Sequence, residues 1–88
     1  MNKFLMEFIG TLFFIYIILA VRNPLAIGAA LTLMILIGKT ISGGNFNPVV
    51  SVIMAAYGKL PMHDLLPYVI SQLAGGFAAL ELYKQMKY

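Results

Sequence analysis

The sequence contains no cysteine, a single histidine and few charged residues. Without cysteine it can form neither a disulfide scaffold nor a thiolate metal site, and His63 cannot build a metal centre alone. Charged residues make up only 10% of the 88-residue chain, and its six basic residues are isolated rather than clustered. Such spacing offers no electrostatic footprint for nucleic acid. We therefore expect no metal, no cofactor and no nucleic-acid partner.

What the sequence has instead is long hydrophobic runs. Hydrophobic residues make up 61% of the chain, which is too apolar for the core of so small a soluble domain. Three segments, residues 4–21, 25–41 and 65–83, approach the roughly 17 to 25 residues that cross about 30 Å of hydrocarbon. The first segment is too long for a signal peptide, and no small-residue cleavage site follows it. The pattern predicts an all-α, multi-pass integral membrane protein with three transmembrane helices in a lipid bilayer.

Two polar breaks separate the hydrophobic segments. In the first break, Asn23 can cap a new helix and Pro24 suits its first turn. The first two segments are therefore predicted to form an antiparallel hairpin. In the second break, Gly58 can end one helix and Asp64 can cap the next, which leaves Pro67 in a first turn where proline is tolerated.

A shorter apolar segment, NPVVSVIMAAY at residues 47–57, precedes the second break. As a helix it would extend roughly 16 Å, which is half of a bilayer. Asn47 is a good N-cap, Pro48 suits the first helical position, and SGGNF before them breaks helices. Irregular backbone at membrane depth occurs only where it is buried or lines a water-filled cavity. Residues 42–57 are thus predicted to be a re-entrant loop and half-helix, with an interfacial loop and amphipathic helix as the alternative.

The stretch SGGNFNPVVS, residues 42–51, resembles the first signature loop of the aquaporin and aquaglyceroporin family, whose pattern is close to SGxHxNPAVT. EFIGT, residues 7–11, is similar to the start of the family's first helix, and PYVISQLAGGFAAL, residues 67–80, is similar to its third. The resemblance covers almost the whole chain. It implies one half of an aquaporin-like inverted-repeat fold, and a passive channel for water and small neutral solutes such as glycerol rather than an enzyme.

The resemblance also implies which residues form the pore. The Asn47 side-chain amide would donate a hydrogen bond to the passing molecule, and Pro48 and Val49 complete the motif. The matching glutamate of the family holds the loop backbone, so Glu7 is expected to support the loop with the help of Gln72. Four backbone carbonyls would line the pore, those of Gly43, Gly44, Asn45 and Phe46. Asn45 stands where the family usually has histidine, and local capping of the loop is as consistent with it as pore contact.

The family's selectivity filter combines an aromatic residue, often a histidine, and an arginine. By position, its counterparts here are Ile27, Ile35, Gly44 and Val50. None of them is aromatic, basic or histidine. The expectation is a wider apolar constriction that admits glycerol as well as water, with a hydrophobic gate that conducts poorly as the competing outcome.

Family members carry two such repeats, inverted in the membrane, whereas this chain resembles one. With a cytoplasmic N-terminus, Lys3, Lys39 and Lys59 fall on one side, and Arg22, Lys84 and Lys87 fall on the other. Three against three gives no orientation bias under the positive-inside rule. The balance favours an antiparallel homodimer that reproduces the inverted repeat, with several dimers side by side as a further expectation.

A second sign of this pairing is that LAIGAALTLMILI, residues 25–37, is similar to the corresponding helix of the family's second repeat. Two other interpretations stay open. One is a non-conducting or complementary subunit that pairs with a separate second-repeat or full-length channel. The other is a proton-coupled exporter that uses Glu7, because a carboxylate within a membrane span is costly to bury.

Overall fold

Four α-helices form the structure, a computed structural model that describes residues 1–86. They are α1 (Lys3–Ala20), α2 (Pro24–Gly38), α3 (Pro48–Tyr57) and α4 (Met62–Met86). No strand occurs in this part of the chain, so the predicted all-α class is confirmed. Lys87, which entered the charge balance, lies outside the described residues.

An asparagine caps the start of each of the first three helices. Asn2 Oδ1 accepts the Phe4 N–H at 2.7 Å, and Asn23 Oδ1 accepts the Leu25 N–H at 2.9 Å. Pro24 follows Asn23 in the first turn of α2, as Pro48 follows Asn47 in α3. The predicted helix starts at Asn23 and Asn47 are therefore confirmed.

The start predicted for α4 is wrong by about one turn. The helix begins at Met62, so Asp64 lies in its first turn instead of capping it, and Pro67 lies inside the helix. The Asp64 N–H donates to the Pro61 carbonyl at 2.9 Å, so the helical hydrogen bonding already includes Asp64. The Asp64 carboxylate accepts from Lys3 Nζ at 2.6 Å, so it does not cap the helix.

Helix α2 ends three residues before the predicted boundary at residue 41. The N–H groups of Ile41 and Ser42 both donate to the Gly38 carbonyl, which turns the chain out of the helix. With 15 residues, α2 is about 22 Å long, short of the roughly 30 Å of a hydrocarbon core. By length and composition, α1 and α4 could each cross a membrane. That α2 forms a third crossing stays a prediction.

Helices α1 and α4 run in the same direction and pack closely. Lys3 at the start of α1 pairs with Asp64 at the start of α4. Further along, a Cβ added at Gly75 would overlap the Phe8 carbonyl oxygen, so only glycine permits this approach of the two backbones. α2 packs on the other side of α1, and α3 packs on α4. The result measures 43 × 23 × 23 Å, close to the roughly 40–45 Å of a bilayer with its headgroups.

Helix α3 ends at the same end of the bundle where α1 and α4 begin. Gly58 adopts φ = 90° and closes α3 with a left-handed cap. Ala55, Leu60 and Tyr68 then form a buried cluster with Phe4 and Leu65. The N-terminus of α3 therefore points into the interior of the bundle.

Apolar side chains cover much of the outside of the bundle. Exposed large hydrophobic residues occur on all four helices, among them Leu5, Leu25, Leu36, Val52, Ile53, Leu66, Ile70 and Phe77. A soluble monomer rarely exposes so much apolar surface, whereas a lipid bilayer covers it without cost.

Candidate functional site

Glu7 is the centre of a buried polar cluster that holds the segment between α2 and α3. Its side chain is fully buried, with 0% exposure. Glu7 Oε1 accepts the Phe46 N–H at 2.7 Å, and Oε2 accepts the Ser42 hydroxyl at 2.6 Å and the Asn45 N–H at 3.2 Å. Gln72 Nε2 on α4 donates to Glu7 Oε1 at 2.8 Å. One carboxylate thus links α1, the loop and α4.

Ser51 connects this cluster to the half-helix. Its hydroxyl oxygen accepts from Asn45 Nδ2 at 2.9 Å and from Gln72 Nε2 at 2.8 Å. Tyr68 adds a further contact, because its hydroxyl donates to the Ser42 carbonyl at 2.6 Å. The Asn45 side chain is therefore directed at α3, an arrangement that caps the loop locally.

Phe46 anchors the loop by its ring. The residue has φ = 54°, which is uncommon for a bulky side chain, and it is only 2% exposed. Its ring packs with Met6 and Met34 in a buried cluster. A Cβ added at Gly10 would overlap this ring, and one at Gly38 would lie 2.8 Å from it. The two glycines thus make the space in which the ring lies.

The chain turns between Ser42 and Phe46 through two glycines. Gly43 and Gly44 have φ values of 90° and 67°, a region that favours glycine. The carbonyl oxygens predicted to line a pore belong to this turn and the residues after it: Gly43, Gly44, Asn45 and Phe46. Within residues 1–86, no hydrogen bond to any of these four oxygens is formed, so they remain available as acceptors.

Asn47 forms the tip of the segment. Its Oδ1 accepts the Val49 N–H at 2.8 Å, and its Nδ2 has no partner among the described residues. Pro48 has no N–H, and the Val50 N–H has no acceptor within the helix. Val49 is 68% exposed. The start of α3 thus presents unpaired donors and an apolar side chain.

The structure brings together two of the four positions that correspond to the family's filter. A Cβ added at Gly44 would lie 3.4 Å from Ile35 Cα, so these two residues are in contact distance. Val50 lies in the first turn of α3. Ile27 is two helical turns from Ile35, about 12 Å along α2, and is not part of the same group.

A surface cavity of about 370 Å³, open on its outer side, lies beside the tip. Its walls come from α1 and α4, and Phe46, Asn47 and Pro48 form the end nearest the loop. Most of the lining is apolar, with Thr11 and Gln72 as polar exceptions. The cavity therefore extends from the start of α3 along the groove between α1 and α4.

Comparison with known proteins identifies the class to which this arrangement belongs. The family model Major intrinsic protein matches residues 1–88. The chain belongs to the major intrinsic protein family, whose members are multi-pass integral membrane channels and not enzymes. The resemblance read from the loop and helix motifs is confirmed, as is the predicted membrane location.

Curated relatives come from bacteria and mammals. The chain is 42% identical to Aquaglyceroporin AqpS of Rhizobium meliloti over 62 residues, which cover 70% of this chain and 27% of the relative. It is 36% identical to Aquaporin Z of Brucella melitensis, over 90% of this chain and 41% of the relative. It is 38% identical to Aquaporin-8 of Mus musculus, over 91% of this chain and 35% of the relative. The chain spans less than half the length of these relatives.

Three residues of the polar cluster were not predicted from sequence: Ser42, Ser51 and Tyr68. Ser51 is the one polar residue between Asn47 and Tyr57, and its isolation in an apolar run was a usable signal. Tyr68 is 2% exposed, and its hydroxyl is bonded to the loop. Nothing local indicates a contact between residues 26 positions apart.

Proposed function

We propose that this chain is one half of a passive transmembrane channel for water and small neutral solutes such as glycerol. The observation that carries the proposal is the tip of α3. Asn47 caps its own helix through Oδ1, which leaves the Nδ2 donor free at the inner end of a helix about 15 Å long. Relatives named as aquaporins, an aquaglyceroporin and a glycerol uptake facilitator support the same solutes.

The second half of the channel is a second copy of the chain, inverted in the bilayer. Helices α1, α2 and α4 cross the membrane, and residues 42–57 re-enter it. Two copies meet end to end at Asn47, Pro48 and Val49, which brings together apolar surfaces that are exposed in one copy. The near-even division of basic residues between the two ends is compatible with insertion in both orientations. Several such dimers then assemble side by side.

The path for the permeating molecule follows from the unpaired groups. The carbonyls of Gly43, Gly44, Asn45 and Phe46 accept hydrogen bonds along the loop, and Asn47 Nδ2 donates at the midplane. Each α3 N-terminus contributes about half an elementary positive charge there. Two such termini repel cations and orient water molecules in single file.

The constriction nearest each mouth combines Ile35, Gly44 and Val50, and it is apolar throughout. It offers neither the positive charge nor the donors of an arginine. A pore of this kind selects by size and by the absence of charge, so it passes small neutral solutes as well as water. Exclusion of protons then depends on the midplane alone.

Glu7 and Gln72 support the loop and do not contact the solute. Glu7 is completely buried and all four of its bonds go to groups of the chain itself. This is a reason to prefer loop support over the proton-coupled exporter.

Osmotic swelling tests the proposal. The full chain is reconstituted into liposomes, its incorporation is measured, and light scattering follows the vesicles after an osmotic step with sucrose and with glycerol. After the sucrose step we expect the vesicles to shrink faster than protein-free vesicles, because water leaves through the channel. After the glycerol step we expect them to re-swell faster, because glycerol enters. If the rates match those of protein-free vesicles while the protein is inserted in both orientations, the proposal is wrong.

The variant Asn47→Asp tests the tip, with Asn23→Asp as its matched control. Both positions are an asparagine that caps a helix beginning with proline, and aspartate caps as well as asparagine does. Only Asn47→Asp removes a donor from the proposed midplane and adds a carboxylate there. We expect water flux to fall at least about tenfold for Asn47→Asp and to stay near wild type for Asn23→Asp, a ratio equal to roughly 1.4 kcal/mol in the barrier. Equal flux for both variants contradicts the pore assignment of Asn47.

Labelling of the termini distinguishes the homodimer from the complementary subunit. A single cysteine is added at each terminus in turn and labelled in intact cells with a reagent that does not cross membranes. An inverted homodimer labels at both termini, each to about half of the total. Labelling at one terminus only, with co-purification of a second channel chain, identifies the complementary subunit instead.

A further inference from the structure

Helix α3 carries an apolar stripe that is exposed in one copy of the chain. The stripe consists of four residues: Val49, Val52, Ile53 and Ala56. The first three are 68%, 48% and 57% exposed. Their spacing of i, i+3, i+4 and i+7 places all four on one face of the helix. Ser51 on the opposite face bonds Gln72 of α4, so the stripe faces away from α4 of its own copy.

The groove between α1 and α4 carries a stripe of the same kind. Four residues in the second half of α4 form it, with the same spacing: Leu73, Gly76, Phe77 and Leu80. Leu73 and Phe77 are 50% and 68% exposed, and Ile15 of α1 forms part of the facing wall. Gly76 has no side chain, and a Cβ added to it would meet only Ile15, at 4.0 Å. The groove is therefore open above Gly76.

The two stripes lie on opposite sides of the tip along the bundle. Helix α3 runs from Asn47 back to the end of the bundle at which α4 begins. Because Ser51 bonds Gln72, the first turns of α3 lie beside Gln72. The groove starts at Gln72 and extends the other way, to Leu80. Within one copy, α3 thus covers the first half of α4 and leaves the second half uncovered.

We propose that α3 of an inverted second copy lies in this groove, with its apolar stripe against the stripe of α4. The inference rests on the inverted homodimer of the proposed function and adds the surface on which the second copy packs. When two tips meet end to end, α3 of the second copy continues from the tip towards the far end of the bundle. That is the half of α4 that the chain's own α3 leaves uncovered. Twofold symmetry makes the same contact twice.

The direction of the helices sets the register of the contact. Helix α3 of the second copy runs away from the tip, as the second half of α4 does, so the two helices are parallel. Val49 of the second copy then lies beside Leu73, and its Ile53 lies beside Phe77. Each stripe covers about 10 Å of helix. A lipid acyl chain needs no match of length or spacing, whereas two helices that pack side by side do.

Cross-linking of paired cysteines tests the contact, because the chain itself contains no cysteine. Ile53→Cys and Phe77→Cys are combined in the full chain, which is reconstituted into liposomes and treated with a short bifunctional thiol reagent. Within one copy the two positions lie on opposite sides of the tip, so a short link between them joins two copies. We expect a covalent dimer on a denaturing gel.

The matched control combines Ile53→Cys with Leu66→Cys. Leu66 lies in the first half of α4 and is 67% exposed, against 68% for Phe77. An inverted copy keeps its α3 away from this half, so we expect no dimer from the control pair or from any of the three single cysteines. A dimer that forms as readily through Leu66, or through one cysteine alone, overturns the proposed packing.

Labelling of the termini separates this inference from the proposed function. If both termini label but Ile53 and Phe77 give no dimer, the groove contact is wrong and the inverted homodimer stands. If only one terminus labels, the homodimer is wrong and the groove contact is wrong with it.

Gly76→Leu, added to the Ile53 and Phe77 cysteine pair, tests the fit of the groove. The leucine side chain extends into the space that the second copy's α3 needs. Gly28→Leu is the control, since Gly28 is also a helical glycine and nothing lies within 4 Å of its Cβ position. We expect the yield of dimer to fall about fivefold or more for Gly76→Leu and to stay near wild type for Gly28→Leu. Equal yields for the two variants overturn the proposal.

Discussion

The loop at residues 42–46 and the tip at residues 47–50 are adjacent in sequence and opposite in character. Polar groups of the loop are bonded to other helices through Glu7, Ser51 and Tyr68. At the tip, the side-chain bond formed is internal, from the Val49 N–H to Asn47 Oδ1. The loop side chain of Phe46 is 2% exposed, whereas Val49 is 68% exposed.

The loop and the tip thus differ in which groups are bonded. Polar groups of the loop hold residues 42–46 in place, whereas groups at the tip are left for contact with another molecule. Glu7 and Tyr68 bond loop backbone that no helix supports. At the tip, Asn47 Nδ2 has no hydrogen-bond acceptor among the described residues of one copy, and the Val49 side chain is exposed. Substitutions in the loop should therefore lower stability, and substitutions at the tip should mainly change transport.

The largest effect on stability is expected for Glu7→Gln. The glutamine amide has the same shape as the carboxylate, but it offers one acceptor oxygen instead of two to the four donors around it. Losing two bonds to a buried charge should cost about 3 kcal/mol or more. Thermal unfolding in detergent measures the effect, with the exposed Glu81→Gln as the control. Equal midpoints for the two variants would show that the Glu7 cluster does not hold the loop.

A smaller loss is expected for Gly10→Ala. Its new methyl group overlaps the Phe46 ring, which Gly38 confines on the other side. Overpacking of this kind costs about 1–3 kcal/mol. Gly28→Ala is the matched control, because nothing lies within 4 Å of its Cβ position and alanine favours a helix by up to about 1 kcal/mol. If the unfolding midpoints of Gly10→Ala and Gly28→Ala shift in the same direction, the Phe46 ring does not occupy the space beside Gly10.

The next smaller loss of stability is expected for Ser51→Ala. The change removes the hydroxyl that accepts hydrogen bonds from Asn45 Nδ2 and Gln72 Nε2. Leaving the Asn45 amide unpaired should cost about 1–2 kcal/mol. Ser71→Ala, a half-buried serine on α4, serves as the comparison and should change the midpoint less. Swelling of vesicles is measured on the same samples, since a loosened loop should also slow water flux. A Ser51→Ala protein as stable as Ser71→Ala would argue against the link between loop and half-helix.

The smallest effect is expected for Lys3→Met, outside both regions. Lys3 Nζ lies 2.6 Å from Asp64 Oδ2, but the lysine side chain is 41% exposed. Such a pair contributes about 0.5–1 kcal/mol and weakens with salt. Lys39→Met removes the same charge from the same end of the bundle and controls for altered insertion. If both variants unfold at one temperature in low salt, the ion pair does not join α1 to α4.

Local features of the fold could be predicted from sequence. Asn23 and Asn47 start helices because the side chain of a cap reaches only the next turn, and the prolines that follow add a local preference. Gly58 ends α3 for an equally local reason. The start of α4 was missed because the Asp64 carboxylate is engaged by Lys3, which lies 61 residues away.

The candidate site was predictable only where the family motif names its residues. That motif singles out Asn47, Pro48 and Glu7. It gives no indication that the Phe46 ring would lie between Gly10 and Gly38 or that Ser51 would collect two donors. Both contacts depend on how α1, α2 and α4 pack, and side-chain reach across helices cannot be read from periodicity.

The amino-acid sequence by itself determined the membrane class, the helix starts at Asn23 and Asn47, and the family. Those features depend on composition and on contacts within a turn or two of the chain. Tertiary structure alone decided which polar groups find partners. Glu7 bonds Ser42, Asn45 and Phe46 across 35, 38 and 39 residues, while Asn47 Nδ2, Thr11 Oγ1 and Gln72 Oε1 find none within residues 1–86. Hydrogen bonds require a few tenths of an ångström in placement, and only the packed helices set positions that finely.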